Sequence, residues 1–195
     1  LLVERIGGPS VKPYQPANLW NEIAGPTTTA YEKGYQQDTG EALYRRSLYT
    51  FWRRAIPPPA LQIFDGATRE ACTTRRERTN TPLQALALMN DVTFVEAARG
   101  LAARMISEGG NDPEARLRFA FRLLTGRSPA ESESTLLREA LQVHLKTYRE
   151  DRAAALQLLQ VGESAPPPQL PASELAAYTA LANTLLNLHE TITRP

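Results

Sequence analysis

Helix start and stop signals recur from residue 81 onward, and they constrain the fold of this 195-residue chain more than any other feature. In "TNTPLQALALMND", Thr81 can cap a helix, Pro82 suits the first helical position, and Gln84 can complete a capping box. Asn90 and Asp91 then interrupt the apolar pattern, which resumes in "VTFVEAARGLAARMI". These signals predict two successive helices, the first of which begins at Pro82.

The same kinds of signal predict two more helices. Asp112 precedes "PEARLRFAFRLL". We expect this helix to end at Gly126, because glycine readily adopts the left-handed conformation that closes a helix. Ser128 and Glu131 have the spacing of a second capping box and predict that another helix begins just after Ser128.

The rest of the chain completes the prediction of fold class. No alternation of polar and apolar residues is long enough to build a sheet. A final amphipathic helix carries a set of apolar residues on one side, namely Leu175, Tyr178, Ala182, Leu185 and Leu188. We therefore predict an all-α fold in which an irregular N-terminal segment is followed by about six or seven packed helices.

We predict one helical domain over residues 1–195, cut from a longer chain, because "LLVERIGGPS" opens without a start methionine. The expected parts are an irregular, loop-rich segment at 1–40, a helical core at 41–160, a Pro-rich connection at 161–173 and a C-terminal helix at 174–193. A missing segment would leave apolar surface uncovered where it packs, so we expect such surface here.

The stretch "YRRSLYTFWRRAIPPP" combines arginines with aromatic residues. Its spacing predicts a helix from Glu41 to Ala55, with the apolar residues on one face and the prolines that follow as its end. Arginine beside aromatic rings suits single-stranded nucleic acid, or acidic sugars. We favour a packed face whose arginines flank the core, and leave contact with a partner protein open.

A second arginine-rich stretch, "REACTTRRERTNTP", is too polar for a core. Its arginines can fasten helix ends, whose carbonyl groups attract cations, or can line an anion-binding pocket. The candidate contacts for a partner or an anion in both stretches are Arg45, Arg46, Trp52, Arg53, Arg54, Arg75, Arg76 and Arg78. We predict no catalytic residue, no cofactor-binding residue and no metal ligand.

Composition limits the chemistry that this chain can carry. The formal net charge is +1, so the chain as a whole has little electrostatic attraction for nucleic acid or anionic lipid. Its apolar runs are far shorter than the ~20 residues of a membrane-spanning helix. Cys72 is the one cysteine, and His144 and His189 are the two histidines. We expect Cys72 to be a buried structural residue and no zinc or haem site within this chain.

Several long strings together resemble a known family. They are, in order along the chain, "GGPSVKPYQP", "YRRSLYTFWRRAIPPP", "FDGATREACTTRRERTNTPLQALALMND", "FRLLTGRSPAESE" and "LAAYTALANTLLNLHETITRP". The resemblance extends from about Ile6 to Arg194. The chain resembles the C-terminal domain of unknown function in planctomycete-type, cytochrome c-associated multidomain proteins. The resemblance implies a large exported or periplasmic protein whose haem is bound by another segment, since this sequence lacks Cys-x-x-Cys-His. It implies no catalytic residues.

We therefore predict a non-catalytic structural or interaction module that contacts neighbouring domains of the same polypeptide or a protein partner. The alternative is an enzyme or binding domain for acidic or sulfated carbohydrate. In it, Arg75, Arg76 and Arg78 would line the pocket and a carboxylate would act as general acid or base. We do not expect nucleic acid as a partner, nor a membrane span.

Overall fold

A computed structural model describes residues 1–17, 19, 35–53, 57–67, 72–75 and 77–193 of the chain. In these ranges eight α-helices can be followed from end to end, together with two short 3-10 helices. Extended pairing in the same ranges is confined to isolated bridges. The predicted all-α class with an irregular N-terminal part is confirmed.

The chain forms two compact units, Leu1–Thr79 and Asn80–Pro195. The described residues of the first unit include the 3-10 helices Gly40–Tyr44 and Ser47–Tyr49 and a short helix, α1, at Pro59–Ile63. The second contains α2 (Pro82–Asn90), α3 (Val92–Glu108), α4 (Pro113–Thr125), α5 (Glu131–Glu150), α6 (Arg152–Leu159), α7 (Ala172–Leu186) and α8 (His189–Ile192).

The predicted start of α2 is confirmed in atomic detail. The Thr81 hydroxyl accepts a hydrogen bond from the Gln84 amide at 3.2 Å, and the Gln84 side chain accepts one from the Thr81 amide at 3.1 Å. Pro82 is the first helical residue, where its missing N–H leaves no helical bond unmade. Asp112 caps α4 in a similar way, and Gly126 ends it with a φ of 80°.

The predicted capping box at Ser128 is wrong. Helix α5 begins at Glu131, and Ala130 occupies the cap position. The Glu133 carboxylate accepts the Ala130 amide at 2.7 Å, so a side chain further into the helix supplies the acceptor for its first turn. A carboxylate is a stronger acceptor than a hydroxyl and also suits the positive end of the helix dipole.

The predicted helix from Glu41 to Ala55 is also wrong where the structure describes it. Val11 lies alongside this stretch: its amide donates to the Tyr49 carbonyl at 2.8 Å, and its carbonyl accepts from the Phe51 amide at 2.7 Å. Leu48, assigned to the apolar face, is 73% exposed. The N-terminal segment therefore forms hydrogen bonds with backbone groups that would bond to each other within an α-helix. Local periodicity cannot reveal this pairing, because the partner segment is distant in sequence.

Helix α7 lies at the centre of the second unit and packs against α3, α5 and α6. The predicted apolar side of this helix is buried, and burial extends beyond it to Ala176, Ala177 and Leu181. Small residues let the neighbouring backbones come close. Those buried in this core are Ala98 and Ala102 on α3, Ala120 on α4, Ala155 on α6, and Ala176, Ala177 and Ala182 on α7.

Two connections differ from the predicted boundaries. The helical core breaks at Asp151, whose carboxylate caps α6 by accepting the Ala154 amide at 2.8 Å. The C-terminal helix predicted at 174–193 begins at Ala172 and is interrupted after Leu186, and α8 follows as a separate turn. Leu188 lies between the two and packs partly buried against the core.

Candidate functional site

Arg45 is the most buried of the predicted contact residues that the structure describes, with 7% of its surface exposed. Its Nη2 atom donates to the carbonyl of Arg5 at 3.1 Å and to the carbonyl of Gly7 at 2.6 Å. The guanidinium carbon lies 4.1 Å from the centre of the Tyr49 ring. The Tyr49 hydroxyl accepts the Gly7 amide at 2.7 Å, so the two side chains together hold the N-terminal loop.

Arg45 has no carboxylate partner among the described residues. Its Nε and Nη1 atoms are buried and make no hydrogen bond there. Buried charges in proteins are normally paired, because removing an ion from water is costly unless a counter-charge replaces the lost solvation. This cation instead has two neutral carbonyls and a ring face.

The other predicted contacts do not share this setting. Arg46 and Arg75 are exposed, as is Arg78, whereas Trp52 and Arg53 are half-buried. Arg54 and Arg76 lie outside the described residues. The anion-binding pocket of Arg75, Arg76 and Arg78 therefore stays a prediction.

The second unit contains a buried ion pair that was not predicted from the sequence. Arg99 on α3 is 3% exposed, and its Nη1 atom donates to the carbonyls of Leu159 at 2.5 Å and Val161 at 2.7 Å. Its Nη2 atom donates to Ser164, reaching the hydroxyl at 2.8 Å and also the carbonyl. The Glu96 carboxylate, one turn earlier, accepts a hydrogen bond from Nη2 of Arg99 at 3.3 Å and another from the Ser164 amide at 2.6 Å.

This pair fastens the start of the connection after α6 onto α3. Gly162 lies against the Glu96 carboxylate, where the Cβ of any other residue would collide with it, and its φ is 88°. A detectable signal was present: Glu96 and Arg99 have the i, i+3 spacing of an ion pair, yet they flank the buried Ala98. Two opposite charges on the apolar face of a helix indicate a buried pair with loop contacts.

Arg127 joins two acidic side chains outside the core. It donates to Glu133 at 2.7 Å and to Glu190 at 2.8 Å, and its guanidinium carbon lies 4.8 Å from the centre of the Phe121 ring. The hydrogen bond from Arg127, reinforced by the Ala130 amide, lowers the pKa of Glu133 to about 2. The network ties the start of α5 to the terminal turn α8.

Further arginines of the second unit are paired in the same manner. Arg116 donates to the Gly110 carbonyl at 3.1 Å and to Glu174 at 2.8 Å. Arg138 on α5 donates to Glu114 on α4 at 3.0 Å. These guanidinium groups act as cross-links between elements of one unit.

Cys72 is exposed, so its predicted burial is wrong. The described residues contain no group of three or more His, Cys, Asp or Glu side chains arranged to hold a metal ion. Burial lowers the pKa of His144, and His189 contacts the Asn80 side chain at 2.8 Å. In the described part of the chain, no helix is both long and apolar enough to cross a membrane.

The chain does not fit a covalently attached c-type haem. Such attachment needs two cysteines followed by a histidine, and this sequence has a single cysteine. A haem in a longer protein would have to be bound by another segment, as the resemblance implies.

Comparison with known proteins identifies a family. Residues 1–141 match the family described as "PSD1: Protein of unknown function (DUF1553)". No curated protein and no solved structure matches the chain. The match ends within α5, before α6 and α7, and the planctomycete and cytochrome association stays a prediction. Because the match covers well over half of the sequence, the chain belongs to the PSD1 family of proteins of unknown function.

Proposed function

We propose that this chain is a non-catalytic structural and interaction module of a large exported, cytochrome c-associated protein. One observation carries the proposal: the buried arginines bind backbone carbonyls of loops in their own unit. Arg45 holds the loop at Arg5 and Gly7, and Arg99 holds the connection from Leu159 to Ser164. Hydrogen bonds of this kind join loops to the rest of their unit and rigidify the fold.

An exposed face of α2 supports the interaction part of the proposal. Leu83, Leu86 and Met89 are each more than half exposed and follow at intervals of three residues. The helix that carries them has no charged residue between Pro82 and Asn90. An exposed, uncharged helix face of this kind suits an apolar surface on a neighbouring domain or a protein partner.

Hydrogen–deuterium exchange tests this role. The amides of α2 are compared in the isolated 195-residue chain and in the longer protein. We expect slower exchange of α2 in the longer protein, and we expect Leu86→Glu to abolish that difference. Leu136→Glu, on the exposed side of α5, is the matched control and should leave the difference unchanged. Identical α2 exchange in the two proteins would contradict the proposal.

The cytochrome association and the export are tested on the natural source of the protein. We expect the longer protein to be found outside the cytoplasm and to show a haem absorption spectrum. The isolated chain should show none, since it lacks the cysteine pair needed for attachment. A longer protein without haem, or one retained in the cytoplasm, would contradict this part of the proposal.

A further inference from the structure

We propose that Arg45 and Gly8 form a binding site for a small oxyanion, of the carboxylate, sulfate or phosphate class. The site lies in the first unit, under the exposed loop of residues 4–10. It does not depend on the module being non-catalytic, because it rests on the surroundings of Arg45 alone.

The charge of Arg45 is the first argument. Both N–H groups of Nη2 are engaged, one by the Arg5 carbonyl and one by the Gly7 carbonyl. The Nε and Nη1 donors, buried in the same residue, have no acceptor among the described residues. A bound anion would satisfy these donors and offset the desolvated charge, which two carbonyl dipoles cannot neutralise.

The position of Gly8 is the second argument. A Cβ atom placed on Gly8 would lie 3.5 Å from Nη1 of Arg45, so the bare glycine backbone borders this donor directly. Gly8 has a φ of 98° and is exposed. A small outward shift of Gly8 brings an anion against Nη1 and offers the Gly8 amide as another donor, while the Tyr49 hydroxyl still holds Gly7.

These donors select the ligand class. A guanidinium N–H beside a backbone amide suits the oxygens of a compact anion, and an arginine binds such groups more strongly than neutral acceptors. The anion can be free in solution or carried on a larger molecule, such as an acidic or sulfated carbohydrate. Chloride is a single and weaker acceptor atom, so it should bind these two donors less well than an oxyanion does.

Nuclear magnetic resonance on the whole chain provides the test. Sodium sulfate, phosphate and acetate are titrated at constant ionic strength against sodium chloride, and the Gly8 amide and Arg45 Nε–H signals are followed. We expect saturable shifts at both positions with the oxyanions and not with chloride. Arg45→Gln should weaken binding by about tenfold or more, as expected for losing a charge-assisted hydrogen bond. Arg46→Gln, which removes the adjacent exposed arginine, should bind as the wild type does.

A second pair of variants keeps Arg45 in place, in case its replacement unfolds the first unit. Gly8→Ala puts a methyl group beside Nη1 and should weaken binding. Gly40→Ala, elsewhere in the first unit, imposes a similar backbone strain at a φ of 60°, but its Cβ meets nothing within 4 Å, so it should bind normally. Shifts that do not saturate, shifts centred on Arg75 and Arg78, or equal binding by the Gly40 and Gly8 variants would overturn the proposal.

Monosaccharides distinguish the sources of the anion. A glucuronate and a sulfated glucose are titrated beside free acetate and sulfate, with the same two signals followed. Tighter binding of either sugar than of its free anion supports a carbohydrate ligand. Equal binding supports a free anion, and no saturable binding by any of the four overturns the site.

Discussion

Arg99 and Arg104 lie on the same helix in opposite surroundings. Arg99 is buried against Glu96 and the connection after α6, whereas Arg104 makes an exposed ion pair with Glu108 at 2.9 Å. Exposed pairs contribute little, because water and salt screen both charges, but breaking a buried pair leaves an uncompensated charge in the core.

Replacing Arg99 with alanine should therefore lower the free energy of unfolding by about 3–5 kcal/mol, because Glu96 and the loop carbonyls lose their donor. Urea denaturation followed by circular dichroism measures this change. Arg104→Ala is the control and should shift the midpoint only slightly. Similar effects of the two substitutions would show that the buried pair does not fasten the loop.

Gly162 and Gly126 both adopt positive φ, at 88° and 80°. Alanine at either position costs about 1 kcal/mol of backbone strain. At Gly162 the new methyl group would also collide with the Glu96 carboxylate, whereas at Gly126 nothing lies within 4 Å. We expect Gly162→Ala to lower the melting temperature clearly more than Gly126→Ala. Equal shifts in calorimetry would contradict the close contact with Glu96.

At the scale of elements, the helix starts fall into two kinds. Asp112 accepts the Ala115 amide at 2.9 Å and begins α4 with its own side chain. Helix α5 begins without a capping side chain at Ala130 and takes its acceptor from Glu133. The sequence signal was reliable for the first kind and misplaced the second by two residues.

Removing these side chains tests the assignment. Asp112→Ala should cost about 1 kcal/mol of unfolding free energy, a typical value for the loss of an N-cap. Ser128→Ala should have almost no effect, because Ser128 contributes no capping hydrogen bond to α5. Chemical denaturation of both variants gives the comparison. A loss at Ser128 as large as that at Asp112 would restore the original capping prediction.

The link between Glu133 and Arg127 should depend on pH. Because the pKa of Glu133 falls from 4.5 to about 2 on folding, the stability it contributes is present above pH 4.5 and is lost as the pH falls toward 2. Glu133→Gln should flatten the fall of the melting temperature across this window. Glu131→Gln, on the same first turn, is the control. An unchanged pH profile in Glu133→Gln would contradict the link.

At the scale of the whole molecule, the family match and the folded core have different limits. The match ends at residue 141, but the core of the second unit is completed by Ala155, Leu159 and the buried side of α7. The connection held by Arg99 also lies beyond that limit. The matched part of the second unit therefore lacks the helices that cover its apolar residues, and it cannot form a closed core by itself.

Two fragments test this consequence. Residues 80–193 should unfold cooperatively, because they contain every helix of the second unit. Residues 80–141 should lack a cooperative thermal transition and bind a hydrophobic dye, since the surfaces that α6 and α7 cover become exposed. Circular dichroism and dye fluorescence report both properties. A cooperative transition in the shorter fragment would contradict the central role of α7.

The candidate contacts could be predicted only in part. The arginines of residues 45–78 were identified from their residue types, but their spacing gave the wrong local structure and no measure of burial. Arg99 was missed, although its spacing from Glu96 was visible. A side chain's burial depends on which distant segment covers it, and here the covering segments lie some 40 and 60 residues away in sequence.

The sequence alone determined what depends on near neighbours: the helical class, the starts of α2 and α4, and the apolar side of the last long helix. In each case the stabilising interactions join residues that are close in sequence, either through a helix cap or through apolar residues that repeat with the 3.6-residue period of a helix. Three features depend on tertiary structure alone: the backbone conformation around Arg45, the hydrogen bonds from Arg99 to the connection after α6, and the exposure of Cys72. These features arise because buried polar groups must find partners wherever the chain brings them, and those partners are remote in sequence.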